Sequence, residues 1–378
     1  MNKALYWVWL AQRTTVSNRS IRELLGEVPD AELIYNMDEE QLSLFPYINK
    51  TTFRKLMDKD LDEAKIIVEK CAVNNYNIIC YADEDYPEAL KNIPDFPIVL
   101  YHRGLKLPLN ELLCIAVVGT RKPSCYGLKC ADEIAVELAS SGVLVISGMA
   151  VGVDAAAHNG AKRICKPTLA VLGSAIDDIY PRKNKFLYEY MLYNGSIISE
   201  YPPGAKIYPS NFPERNRIIS GLSSGVVVVE AGKRSGSLIT ANIALEQGKD
   251  VFSVPNIVGN ENGIGTNNLI REGAKLVTSA IDILDEYRGM YASINEIRKN
   301  NEAEYSDEFL KKSFLESFTD LTSLERKVAE LCDANPLTAD ELSLKTDIPM
   351  NYILSALTML EIKGVVISEV GNKFKLKF

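Results

Sequence analysis

Between residues 111 and 288, short continuous apolar runs alternate with stretches of helical periodicity, and this alternation constrains the chain most tightly. The runs fall at 114–118 (CIAVV), 143–147 (VLVIS), 168–172 (TLAVL), 196–199 (SIIS), 226–229 (VVVV) and 251–254 (VFSV). Aliphatic residues in unbroken succession, without polar alternation, describe strands buried on both faces. Helical patterns lie between them at about 127–141, 154–165, 184–194, 214–222 and 237–247. Strands of that kind need crossover helices on both sides. The expected class is therefore α/β, with a doubly wound, mostly parallel, Rossmann-like sheet over 111–288.

The flanks read differently. Residues 1–75 carry short helical patterns, with Ser17, Asp30 and Asp38 as N-cap candidates and a periodic stretch at 61–73. A small helical domain of the SAM or helix-hairpin-helix sort is expected there, with Trp7 and Trp9 in its core and 76–110 as a connecting segment into the sheet domain. Residues 289–318 are polar and read as a linker. Helical patterns at 322–332, 338–344 and 350–363, then a hairpin of 365–369 and 373–378, predict a winged helix over 319–378. Its would-be recognition helix has only Glu361 and Lys363 as charges, whereas a groove-reading helix needs side chains that reach base edges. A protein contact or a stabilising cap is the expected role.

Composition narrows the setting. The 378 residues are 47% apolar and 24% charged, as in ordinary multi-domain globular proteins. No apolar run approaches the ~20 residues of a membrane span, and residues 1–10 lead into polar sequence with no small-residue cleavage site, so neither a membrane anchor nor a signal peptide is expected. Seven cysteines without a C-x-x-C pair suggest reduced thiols in the cytoplasm, and two histidines exclude a histidine cluster. No metal or cofactor is expected. The net charge of −8 argues against a nucleic-acid partner until it is divided along the chain. Residues 111–288 hold 18 basic and 18 acidic residues, so the acidity belongs to the flanks. Nine of those 18 cations fall in four short stretches: Arg121 and Lys122; Arg182, Lys183 and Lys185; Arg215 and Arg217; Lys233 and Arg234. Gathered on one face, they make a positive site on an acidic protein.

In an open parallel sheet, ligands bind beyond the carboxyl ends of the strands. Those ends carry Gly119-Thr120-Arg121-Lys122, Ser147-Gly148, Gly173-Ser174 and Arg234-Ser235-Gly236-Ser237. Glycine lets a phosphate approach the backbone, helix starts offer free N–H groups, and hydroxyls and cations add further donors. This edge is expected to bind phosphate. There is no G-x-x-x-x-G-K-[ST], which excludes a P-loop. No G-x-G-x-x-G follows the first strand, which disfavours a dinucleotide. Separated basic turns, with Tyr180 and Phe186 beside one of them, fit a string of phosphates with stacked bases.

Taken in order, these motifs resemble the DNA-processing protein A (DprA/Smf) family. The resemblance rests on VVGTR (117–121), SGMAVGVDAAAH (147–158), the stretch from AVLG (170–173) to IYPRKN (179–184), SEYPPG (199–204), FPERNRIISGLS (212–223), EAGKRSGSLITA (230–241) and GTNNLIREGA (265–274). It implies a non-enzymatic cytosolic protein of natural transformation that binds single-stranded DNA, protects it, helps load RecA recombinase onto it and forms a homodimer through the sheet domain. The alternative is a nucleotide N-glycosidase or phosphoribohydrolase on the same scaffold. The P-G-G-x-G-T-x-x-E run of the related phosphoribohydrolases is missing here.

Residue by residue, Arg121 is the first phosphate contact expected. Of Arg215 and Arg217, which flank Asn216, one is expected in a structural salt bridge. Lys183, Lys185, Arg234, Ser235 and Ser237 suit anion contact, with Ser237 also an N-cap candidate. Asp154 is expected to cap the helix 154–165, His158 to make a structural hydrogen bond, and Glu230 to orient neighbouring donors. Tyr180 is balanced between a core position and base stacking, and Phe186 is the stronger stacking candidate.

Overall fold

The computed structural model describes residues 3–14, 19–289, 321–332, 336–346, 348–369 and 372–376. The N-cap candidate Ser17 and nearly all of the expected linker lie outside them. The chain forms two compact units, Met1–Ile294 and Asn295–Phe378.

The first unit is built on a nine-stranded sheet: β1 (Asn77–Cys80), β2 (Val99–Gly104), β3 (Cys114–Val118), β4 (Leu144–Ser147), β5 (Thr168–Leu172), β6 (Ser196–Ser199), β7 (Gly225–Val228), β8 (Asp250–Ser253) and β9 (Lys275–Leu276). Their spatial order is β1-β2-β6-β5-β4-β3-β7-β8-β9. From β6 across to β9 every pairing is parallel, for example Ile115 beside Val145 and Val117 beside Val227. All six expected strands are present within a residue or two. The segment read as a lead-in adds β1 and β2, antiparallel to each other and, through β2, to β6. Asn77–Cys80 is short, partly polar and on the sheet's edge, so it lacks the apolar run that marks the inner strands.

Both faces of the sheet are covered. Cys125–Ser140 and Val153–Arg163 pack together over Ile115, Val117, Val145 and Val227. On the other face lie Lys185–Asn194, Asn211–Leu222 and Gly236–Glu246, whose core runs on into the N-terminal helices. There Trp9 is fully buried and donates its indole N–H to the carbonyl of Asp58 at 2.9 Å. Asp30 caps the helix Ala31–Asn36, and Asp38 forms a capping box with Gln41, as their spacing predicts.

The second unit is a winged helix. Helices Ser323–Leu331, Ala339–Thr346 and Met350–Ile362 enclose Val328, Leu342, Ile353 and Leu360, backed by β10 (Leu337–Thr338), β11 (Val366–Glu369) and β12 (Lys373–Leu376) in the order β10-β12-β11.

Candidate nucleic-acid interface

Strand order reverses between β3 and β7: β3 to β6 step one way across the sheet, and β7 to β9 step the other. The loops that leave β3 and β7 must diverge there, and a crevice opens at their carboxyl ends. A groove of about 840 Å³ occupies that place. Gly119, Thr120, Arg121 and Lys122 line one side, Ser235, Gly236 and Ser237 another, and Tyr180, Phe212, Arg215 and Asn216 also face it.

A buried carboxylate holds the two loops. Glu230, with no exposed surface, accepts from the Ser124 backbone N–H at 2.8 Å, the Ser124 hydroxyl at 2.6 Å and Asn256 Nδ2 at 3.1 Å. Its own carbonyl accepts from Thr120 N at 2.7 Å. Gly127 lets the next helix approach, since a Cβ there would sit 2.3 Å from Glu230 Oε2. The basic turn 119–122 is thus held from both ends, with Arg121 and Lys122 exposed beyond it. The Arg121 guanidinium lies 5.5 Å from the Phe212 ring centre, and Tyr180 packs on the same ring at 5.2 Å. Opposite them, Gly236–Glu246 starts at Ser235 without a side-chain cap; Ser235 takes the Leu238 N–H through its backbone carbonyl at 3.1 Å, and the first helical residues, Gly236 and Ser237, line the groove.

The helix Asn211–Leu222 supplies the floor. Phe212, Arg215, Asn216 and Ile219 are spaced i, i+3, i+4, i+7, and all four line the groove. Arg215 is buried and donates to the carbonyls of Gly148, at 2.8 Å, and Val171. Gly148 leaves room for this arrangement, because a Cβ there would lie 2.5 Å from the guanidinium. Burial pulls the Arg215 pKa down to about 10, with Asp154 opposing the shift and Arg121 adding to it. Desolvation raises Asp154, and the charge of Arg215 lowers it.

A family model described as DNA recombination-mediator protein A matches residues 77–288, and one for the DprA winged helix domain matches 317–372. The chain is 36% identical over 284 residues to the DNA processing protein DprA of Streptococcus pneumoniae, covering 75% of this chain and 98% of that one. It belongs to the DprA/Smf family of DNA-processing proteins. Protein Smf of Synechocystis is 35% identical over 315 residues, 78% of either chain. The crystal structure of the Streptococcus pneumoniae DprA superposes with a TM-score of 0.65 at 33% identity, covering 76% of this chain and 99% of that one. A structure concerned with the single-stranded DNA binding mode of DNA processing protein A from Helicobacter pylori superposes with a TM-score of 0.50 at 30% identity, covering 60% and 96%.

Within this DprA/Smf fold several expected contacts stand apart from the groove. Arg217 points off the opposite face of its helix, where it is buried and ion-paired with Glu200 and, at 3.6 Å, with Asp95. It is the arginine of the pair that makes salt bridges, while Arg215, likewise buried, is held by backbone carbonyls. Ser147 is buried with its hydroxyl on the Val117 carbonyl, and Ser174 is buried beside Asp178. Gly173 abuts Phe212, where a Cβ would come within 2.8 Å of the ring. Lys183, Lys185 and Phe186 are exposed outside the groove lining, Lys185 near Glu189 and Phe186 beneath the Lys162 ammonium at 3.5 Å. Arg234 is exposed on the turn before Ser235. Ser237 pairs its hydroxyl with that of Ser235 at 2.8 Å instead of capping the helix.

Asp154 is not the cap of its helix. That position is Gly152, at φ +91°, and Asp154 in the first turn accepts from the N–H groups of Gly148 and Ala150. A Cβ at Gly152 would press on the Thr120 carbonyl at 2.5 Å, so glycine permits both the turn and the approach. His158 is wholly buried. The Thr168 hydroxyl donates to the Val145 carbonyl, so it accepts from His158 Nδ1–H at 2.8 Å. Burial, with Arg215 next in effect, pushes the His158 pKa down to about 3, and the ring is neutral at physiological pH.

Phe212 is the aromatic groove residue that reading by residue type passed over, as it did Ile219 and Asn262. Its signal was the i, i+3 spacing to Arg215 within FPERN. Among the described residues no group of three or more His, Cys, Asp or Glu is placed to hold a metal ion, and no helix is long and apolar enough to cross a membrane.

Proposed function

We propose that this chain binds single-stranded DNA without base preference along the switch-point groove, as a non-catalytic cytoplasmic mediator that protects incoming DNA in natural transformation. The observation that carries this reading is the convergence of Arg121, Lys122 and the uncapped start of Gly236–Glu246 around the Phe212 and Tyr180 rings. Cations and free N–H groups neutralise phosphates, while aromatic faces accept any base. Fluorescence anisotropy with oligo-dT across a salt series tests it. Log affinity falls linearly with log salt, and Arg121→Ala weakens every sequence alike and flattens the slope. A salt-independent affinity, or an unchanged slope in Arg121→Ala, refutes it.

Loading of RecA and homodimerisation through the sheet unit are parts of the same proposal, supported by family membership. Strand exchange by RecA on DNA coated with single-strand binding protein tests the first, and sedimentation equilibrium the second. The enzymatic alternative is disfavoured because both carboxylate oxygens of Glu230 are engaged and the group is buried. Release of base from AMP is the outcome that would revive it.

A further inference from the structure

Beside the groove, the loop after β8 holds two aliphatic side chains bare to solvent: Ile257 is 79% and Val258 93% exposed. The loop beneath them is densely hydrogen-bonded. Asn256 donates its backbone N–H to Asn267 Oδ1 at 3.0 Å, and its side-chain oxygen accepts from Ile257 N at 2.8 Å and Asn260 Nδ2 at 2.9 Å. Its Nδ2 donates to Glu230. Asn260 Oδ1 accepts from Asn262 N at 3.1 Å. Across from Ile257 stands Tyr126, 46% exposed, its ring fixed by a hydroxyl bond to the Pro255 carbonyl at 3.0 Å. Tyr126, Pro255, Asn256, Ile257 and Asn260 enclose a hollow of about 360 Å³.

The hollow adjoins the groove. Asn262 lines the groove, donates to the Lys122 carbonyl at 3.0 Å and touches Asn260, while Tyr126 lies four residues past Lys122.

We propose that the hollow between Tyr126 and Ile257 seats a nucleobase of the single strand whose phosphates lie on Arg121 and Lys122, with Ile257 and Val258 packing against the bases beside it. This rests on the groove reading above and extends it by one base seat. A flat base is the occupant favoured by the hollow's place beside the basic turn and by its Tyr126 and Ile257 walls. Asn256 spends its carboxamide inside the loop, so the seat reads no base edge and tolerates any sequence.

The experiment uses the full chain and two probes of about 20 nucleotides, longer than the single-strand site sizes of such folds: oligo-dT and the same backbone with abasic sites in place of its bases. Tyr126→Ala and the double variant Ile257→Ser, Val258→Ser are each expected to lose about 5- to 10-fold in affinity for oligo-dT. The abasic probe and the salt slope are unaffected, because no phosphate contact is removed. Wild-type affinity on both probes overturns the seat, as does an equal loss on both. A change in sedimentation of the DNA-free variants also overturns it and makes the patch a contact between copies. Arg121→Ala run alongside separates the two readings: if it weakens both probes while the seat variants behave as wild type, only the seat falls.

Discussion

At the carboxyl edge of the sheet, Arg121 and Lys122 stand exposed over an aromatic floor. The helix Met350–Ile362, which a winged helix would lay in a duplex groove, instead exposes Tyr352, Leu354, Met359 and Ile362. Its one charge is Glu361, hydrogen-bonded to Ser368, and Lys363 just past its end pairs with Glu325 at 3.0 Å. The form long associated with reading DNA thus lacks cations on its presented face, while a sheet edge with no such form has them. Phosphate affinity follows exposed charge, not helix geometry. The groove suits a polyanion, and the winged unit's third helix presents apolar side chains instead.

Reversing Arg121 and Lys122 together (Arg121→Glu, Lys122→Glu) is expected to cost at least about 100-fold in oligo-dT affinity by anisotropy. The salt slope should flatten by about 0.7 for each phosphate that is no longer neutralised. Ending the chain at residue 288 leaves affinity within about twofold, as removal of a surface without phosphate contacts should. A large loss on truncation with a small one on reversal would invert the contrast.

Acid separates the two units by stability. His158 has its folded pKa depressed below its unfolded value, so its contribution is complete above about pH 6.5 and is lost as pH falls toward 3. The slope approaches about 1.4 kcal/mol per pH unit, or roughly 2 kcal/mol by pH 5. In the winged unit the Thr322 N–H, with Lys363, holds Glu325 below its usual pKa, so that contribution persists until pH drops below about 4.5. Calorimetry between pH 7 and 5 should show the sheet unit's transition falling first, and His158→Gln should remove most of that dependence.

Phe212→Leu keeps an apolar floor but loses the ring. About a tenfold loss of affinity is expected for one stacked base, with the salt slope intact. Smallest of all, Tyr352→Ser should change oligo-dT affinity by less than about twofold, since no phosphate is involved. A larger effect would place DNA on the winged unit.

Much of the fold was legible because burial on both faces writes itself into unbroken apolar runs such as CIAVV and VVVV, whose neighbours barely matter. β1 and β2 were not, because an edge strand tolerates polar residues and β6, the strand that joins β2 to the rest of the sheet, lies far along the chain. The motif FPERNR shows how far a site can be read. Its cations were plain, and so was the expectation that one of them is structural. Which one makes the salt bridge depends on helix phase: two residues turn the chain through about 200°, sending Arg215 onto the carbonyls of Gly148 and Val171 at the groove floor and Arg217 toward Glu200 and Asp95.

By sequence alone the chain determined its class, its crossover order of strand and helix, and the kinds of donor that follow each strand. Those are local properties, set by residue type and period. The tertiary structure decided which donors share one space: turns more than a hundred residues apart, at Arg121 and Ser235, face each other only because strand order reverses between β3 and β7. Lys183, Lys185 and Phe186, similar in chemistry, end up outside the same groove. Convergence depends on pairing between distant segments, and no stretch of sequence carries it by itself.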